Sequence, residues 1–530
     1  MSDFVPVGMQ DILHSSKPGV REGKIKPLRL RKRVWRMLQS LFSFSGNGYT
    51  FIFLAWPILG GINLVHKFRM NGLNIALDVN GGSVHVVDDI TYEVLDHYPL
   101  MNNGKLAIDE LYDLLPHYTQ DAIDGAVEEI EDLIDEGMLY TDDDYINLDA
   151  FKNRKQVVKA LCLNVAHDCN LKCTYCFASQ GDFGGAKELM SYEVGKQSLD
   201  FLIANSGSRR NLEVDFFGGE PLMNFNVVKR LVEYGHEEAA KHDKNFRFTI
   251  TTNGVLLDDK KIEYINEHMD NVVLSIDGRK TVNDKMRLTL NDKGSYDIIV
   301  PKYQKLVSSR KDKSYYIRGT FTRNNLDFSK DLEHFKELGF VHTSMEPVVS
   351  ADGNPFAIRE EDLPEILREY EDFAVKYADM KVSGDPFDFF HFIVDLTQGP
   401  CVIKRITGCG AGTEYLSITP DGSIYPCHQF VGNEEYLMGN VMDESLVLPQ
   451  EMRDYFRESH VYSKEDCKDC WAKFYCSGGC HANAINFNND ITKPYKVGCE
   501  MQKKRLECAL MIEAKRMLEA DTEEEKMMFL

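Results

Sequence analysis

The sequence predicts an α/β protein whose centre is a parallel sheet of six β/α units, with a smaller module on either side. Three observations carry this reading. Six apolar strand-like runs, at 157–165, 212–217, 246–252, 271–276, 315–321 and 341–347, recur between helical patterns. Such repetition implies crossover connections, and so parallel strands under a cover of helices. Upstream lies a short alternating segment followed by a helical period, and downstream a stretch crowded with cysteine. A chain of 530 residues has room for two to four domains.

Taken in order, residues 1–64 form an N-terminal extension unlike the rest. A basic run from Lys24 to Arg36 precedes an apolar stretch, Tyr49 to Val65, interrupted by Pro57 and Gly60–Gly61. A membrane-spanning helix needs about 20 apolar residues, so the stretch reads either as weakly membrane-associated or as sequence upstream of the true start, with the second favoured. From Asn74 the pattern alternates, with Ile75, Leu77 and Val79 on one face, then Asn80-Gly81-Gly82 as a turn, then Val84 and Val86. Ile123, Val127, Ile130 and Ile134 follow at helical spacing and end at Gly137. Leu139-Tyr140 and Ile146–Leu148 suggest a second small hairpin. Three strands and a helical trio make 65–150 a winged helix. The core is expected over 155–350, a helical linker over 351–400, a cysteine-rich module over 401–510 and a charged tail over 511–530.

Bulk composition narrows the function. A net charge of −22 disfavours a phosphate-binding surface and so a nucleic-acid partner. The acidic run Glu128 to Asp135 weakens that reading for the winged helix as well. Thirteen cysteines without a secretory signal point to metal ligation in a reducing compartment, hence the cytoplasm. They concentrate in one group at 169–176 and another from Cys409 to Cys499.

The first group reads C-x3-C-x2-C: Cys169, Cys173 and Cys176, placed directly after the first strand run. Chemistry in such barrels sits at the carboxyl ends of strands. Three thiolates on one loop can hold three irons of a cubane and leave the fourth open. A zinc knuckle, the alternative, usually pairs two C-x2-C hairpins, and no second pair lies nearby. The motif resembles the radical S-adenosylmethionine (radical SAM) superfamily, whose fold is an open (βα)6 partial TIM barrel. The resemblance implies a [4Fe–4S] cluster and SAM. Tyr175 would cover the cluster. Gly218-Gly219-Glu220, after the second strand run, would meet the SAM ammonium. Ser275 would bond the ribose or carboxylate, and Arg287 would pair the carboxylate, with Arg318 as a rival. Glu346 would face the adenine or serve as a structural carboxylate.

The second group reads Cys409, Gly422-x4-Cys427, Cys467-x2-Cys470-x5-Cys476-x3-Cys480 and Cys499. It resembles the SPASM extension, which carries two auxiliary iron–sulfur clusters, for three [4Fe–4S] clusters in all; count alone would also fill two zinc sites. The resemblance assigns Cys409, Cys427 and Cys480 to the inner cluster, with Cys401 as a fourth ligand or else an open iron, and Cys467, Cys470, Cys476 and Cys499 to the outer one. Cys162 and Cys508 read as buried small hydrophobes. His428 and His481 read as surface or hydrogen-bonding residues.

Finer stretches, Leu161–Cys169, Phe177–Gly185, Gly408–Tyr415 and Tyr425–Phe430, resemble the maturases of SCIFF peptides. The resemblance implies Cα–S thioether formation in a cysteine-rich precursor peptide. Residues 65–150 would bind its leader by adding a strand to a sheet edge. The alternative for this module is a winged helix that only caps the barrel. A flavodoxin or ferredoxin would donate electrons, and a membrane partner is not expected. No protein side chain is expected as a dedicated catalytic base. Rival readings are a sulfatase-maturase-like or other SPASM peptide modifier, and a non-catalytic iron–sulfur adaptor.

Overall fold

The computed structural model describes residues 64–519 apart from 352 and 397–401. The expectations for residues 1–63 and 520–530, and for Cys401, lie outside the described residues.

The N-terminal unit is an antiparallel sheet of β1 (Val65–Met70), β2 (Leu73–Asp78) and β3 (Val84–Val87), followed by α1 (Asp89–Asn102), α2 (Ile108–Leu114) and α3 (Gln120–Asp135). Asn71 and Gly72 both take positive φ, 52° and 76°, which is what a two-residue hairpin turn needs. Ile123 and Ile130 of α3 bury against Val94, Tyr98 and Leu111, as their spacing predicted. The second hairpin does not form, and the third strand is β1. Thr141 is instead captured by the first hairpin: its N–H donates to Asp78 Oδ1 at 3.2 Å, and its carbonyl accepts from Asn80 Nδ2 at 2.9 Å. Tyr145 donates to the Asn80 carbonyl at 2.7 Å, and 145–147 is a single helical turn.

All six predicted runs are strands of one sheet: β4 (Ala160–Ala166), β5 (Asn211–Gly218), β6 (Asn245–Thr252), β7 (Asn271–Ser275), β8 (Ser314–Phe321) and β9 (His342–Pro347). They pair in parallel in chain order. β4 is buried at every residue, as a strand covered on both faces must be. The span read as a linker holds α4 (Leu363–Val382), the helix after the sixth strand, and also β10 (Asp388–Phe389), which pairs in parallel with β9.

On the other side the sheet continues into the cysteine-rich module. β11 (Tyr415–Ile418) pairs in parallel with β4, and β12 (Ser423–Tyr425) and β13 (Gly439–Asn440) follow in antiparallel. The side chain of Asn164 donates across this join to Ser417 Oγ at 2.8 Å. α5 (Lys496–Glu519) then returns along α4, where Arg505 Nε donates to the Tyr370 hydroxyl at 2.9 Å. Residues 511–519 therefore belong to a packed helix and not to a charged tail: Met511, Ile512 and Ala514 are buried. The helix needs these apolar positions to cover the barrel's outer layer. Among the described residues no helix is long and apolar enough to cross a membrane.

Candidate active site

The cysteine triplet sits on the loop leaving β4, and the Gly218-Gly219-Glu220 turn leaves β5 beside it. The two are zipped together by backbone: Gly219 N–H donates to Ala166 O at 2.7 Å and Glu220 N–H to Asp168 O at 2.9 Å. A Cβ on Gly218 or Gly219 would lie 2.3 Å from the Ala166 carbonyl oxygen or 2.2 Å from that of Asp168. The glycines thus let two loops meet, where the sequence reading had them approach a ligand.

One cavity of about 880 Å³, counting its open mouth, is lined by Cys169, Cys173, Cys176, Tyr175, Gly218, Gly219, Glu220, Ser275 and Arg287. The triplet and the residues anticipated for SAM meet there, except Glu346, which does not line the cavity. Asn253, Arg318, Thr320 and Phe217 also line it. Asp277 anchors it from behind: the Tyr175 hydroxyl donates to both its oxygens at 2.8 Å, and Arg287 Nε to one at 2.9 Å. Arg287 therefore has its own carboxylate partner. Asp277 was visible in the sequence only as the end of a strand run, because its partners lie on two other loops.

Glu220 is fully buried, and its oxygens accept from the Thr252 hydroxyl at 2.7 Å, Asn253 N at 2.8 Å and Leu222 N at 3.0 Å. Burial raises its carboxyl to about 7 against these hydrogen bonds. It braces β6 to the turn. Glu346 is likewise buried, accepting from the Ser344 hydroxyl at 2.7 Å and paired with His391 at 3.0 Å.

The thiols form three neighbourhoods. Burial pushes Cys169 and Cys173 up to about 12, with Glu220 and Cys176 among the groups that add to the rise. Burial pushes Cys427 well above its usual range, with Cys480 and Cys409 close enough to raise it further. Burial raises Cys499 to about 12, helped by Cys476, Cys467 and Cys470. Grouped, buried thiols of this kind ionise only beside a strong positive charge, which a metal centre supplies. A cubane gives each thiolate its own iron, so the donor set fits iron–sulfur clusters. Leu171 N–H and Asn253 Nδ2 donate to the Cys169 sulfur at 3.4 and 3.6 Å, the type of contact that tunes such a centre.

Cys162 and Cys508 are core residues, fully buried. His428 and His481 are also buried and not on the surface; His481 Nε2 lies 3.0 Å from Ser459 O, and His428 Nδ1 3.3 Å from the Tyr415 hydroxyl. His428 also packs against Phe177 and Phe217, between the triplet and the inner auxiliary thiols.

Comparison with known proteins agrees with this geometry. Residues 163–317 match the Radical SAM superfamily, and residues 409–471 match SPASM, an iron-sulfur cluster-binding domain. The chain is a radical SAM enzyme with a SPASM module, which indicates iron–sulfur clusters and SAM as its cofactors. It is 25% identical over 338 residues to a cysteine-type anaerobic sulfatase-maturating enzyme of Clostridium novyi (strain NT), covering 61% of this chain and 87% of that one. It is 24% identical over 462 residues to the radical SAM cyclopropyl synthase TigE of Paramaledivibacter caminithermalis, covering 82% and 91%. The structure of native anSMEcpe with bound AdoMet superposes with a TM-score of 0.57 at 20% identity, over 68% of this chain and 99% of that one; this likeness shows the partial-barrel fold.

Proposed function

We propose that this enzyme is a peptide maturase that joins a cysteine sulfur to an acceptor α-carbon within a ribosomally made, cysteine-rich precursor, the SCIFF type of thioether cross-link. The observation that carries the reading is the convergence of the cysteine triplet and the SAM residues on one cavity at the carboxyl end of the barrel, with a second thiol neighbourhood packed against its wall. Cys169, Cys173 and Cys176 would hold the SAM-binding cluster. Cys409, Cys427 and Cys480 would hold the inner auxiliary cluster, and Cys467, Cys470, Cys476 and Cys499 the outer one.

When bound, the first cluster and SAM supply a 5′-deoxyadenosyl radical. The chain's own contribution is placement. The Tyr175–Asp277–Arg287 cluster fixes one wall, and the Gly218–Glu220 turn fixes the loop beside the triplet. The rings of Phe177 and Phe217 stack with centroids 6.4 Å apart in the cavity wall. Holding the acceptor carbon near a substrate sulfur gives the proximity term. The open iron that such a substrate thiolate would need depends on whether Cys401 is a ligand. Residues 65–150 would seat the leader, on the exposed edge of β3. Flavodoxin or ferredoxin would serve as donor, in the cytoplasm.

A second reading, a sulfatase-maturase-like oxidation without sulfur transfer, draws support from the names of the relatives. The leader-type N-terminal unit favours the first reading. Mass spectrometry after anaerobic reaction separates them: thioether closure removes two hydrogens per bridge and keeps the sulfur in the peptide, whereas oxidation of a cysteine to an aldehyde expels it. The test peptide is a short cysteine-rich precursor, to be sought as a reading frame beside this gene. An unmodified peptide, or one oxidised without a bridge, would overturn the proposal. Cys169→Ala, Cys173→Ala and Cys176→Ala should each abolish SAM cleavage while auxiliary-cluster absorbance persists. Deleting residues 65–150 should spare uncoupled cleavage but abolish peptide modification.

A further inference from the structure

We infer that the outer thiol group is the dock of the N-terminal domain, so that filling this metal site and seating the domain form one linked equilibrium. The inference rests on the metal reading of Cys467, Cys470, Cys476 and Cys499 and gives that site a structural role. The segment carrying the first three thiols has little architecture of its own. Between residues 462 and 480 it holds two four-residue helices, Glu465–Lys468 and Lys473–Cys476. Single turns do not persist alone, and in such segments the metal supplies the folding free energy.

The N-terminal domain is latched to this segment. Lys473, between Cys470 and Cys476, pairs with Asp143 at 2.8 Å, and the two side chains are only 7% and 11% exposed. The Tyr462 hydroxyl donates to the same carboxylate. Trp471, next to Cys470, stacks on His66 of β1 with ring centroids 3.7 Å apart and planes 2° from parallel. His66 also contacts Glu507 at 3.1 Å, on the helix that carries Cys499. A buried ion pair and a stacked ring fix the seat only if the loop is held in place. Linkage requires the reverse too: a seated domain holds the loop closed around its metal.

The test uses the full-length protein, anaerobically reconstituted with iron and sulfide, and hydrogen exchange read by mass spectrometry. In a Cys470→Ser/Cys476→Ser variant, exchange in 65–78 and 141–147 should speed up by roughly tenfold, within the usual span of coupling factors, while β4–β9 stay protected. Unchanged exchange in those two segments would overturn the inference. If the barrel strands also lose protection, the variant has unfolded and the reciprocal arm decides. There Asp143→Asn, in the loaded protein, should release iron from the outer site to a chelator several-fold faster than wild type; equal release overturns the inference. Iron content and the spectra of the wild type report separately on the metal reading, and neither arm depends on SAM cleavage.

Discussion

A methyl group on Gly219 would lie 2.2 Å from a backbone oxygen that cannot move without displacing the triplet loop. Gly219→Ala should therefore cost SAM cleavage outright, and anaerobic deoxyadenosine assays check this. Tyr175→Phe is gentler: it removes a hydroxyl bonded to the fully buried Asp277. The loss of a hydrogen bond to a charged group costs about 1.5–3 kcal/mol, so the unfolding midpoint should fall and SAM should bind more weakly by equilibrium dialysis. Titration acts at this scale too. Burial lowers the pKa of His460, whose Nδ1 accepts from Tyr462 N–H at 3.2 Å. Its unfolded value is about 6.5, so near and below that pH the unfolded chain binds the extra proton first and stability falls. Melting curves from pH 7.5 to 5.5 should show this loss, and His460→Asn, whose side-chain oxygen can accept the same N–H, should reduce it in part, because the pKa values of buried His167, His428 and His481 are lowered as well.

Among elements, the join between β4 and β11 ties the SPASM module to the barrel. Glu414, beside it, takes both Lys159 and Arg154 as partners while its own side chain is 10% exposed. Breaking a buried pair by removing one partner costs about 3–5 kcal/mol. The partial exposure of Arg154, 26%, puts Glu414→Gln near the lower end of that range. Urea unfolding should show the drop in midpoint. Element-level legibility followed burial. The six barrel strands were readable because apolar residues recur at strand spacing between helical patterns, nearly continuous in β4 and β7 and alternating in β6. β1 was missed because His66, Lys67 and Arg69 break its apolar pattern, although Asn71-Gly72 was the hairpin signal to find. The second hairpin was wrongly expected because Leu139-Tyr140 and Ile146–Leu148 have strand-like composition, while the Asp78 and Asn80 side chains, distant in sequence, hold that backbone elsewhere.

For the whole molecule, the cysteines divide into two populations. Cys162 and Cys508 are fully buried and burial raises both thiols far above their usual range, so both should resist alkylation even after anaerobic iron removal. The clustered cysteines should become reactive, Cys409 first because it is exposed. Peptide mapping of the labelled sites checks the division, and early labelling of Cys508 would contradict the packing of α5 on α4.

The residues alone determined the parallel barrel, the triplet at its first strand end and the order of the later thiols, because burial and ligand spacing on one loop are local properties that a linear pattern records. Which distant groups stand together was decided by tertiary structure. Arg287 is committed to Asp277, Glu220 faces the backbone of β6, and the N-terminal domain rests on the outer thiol loop through Asp143 and His66. Such partners are chosen by packing across the fold, where a side chain's environment depends on elements far away in the chain, and no spacing along the sequence encodes that choice.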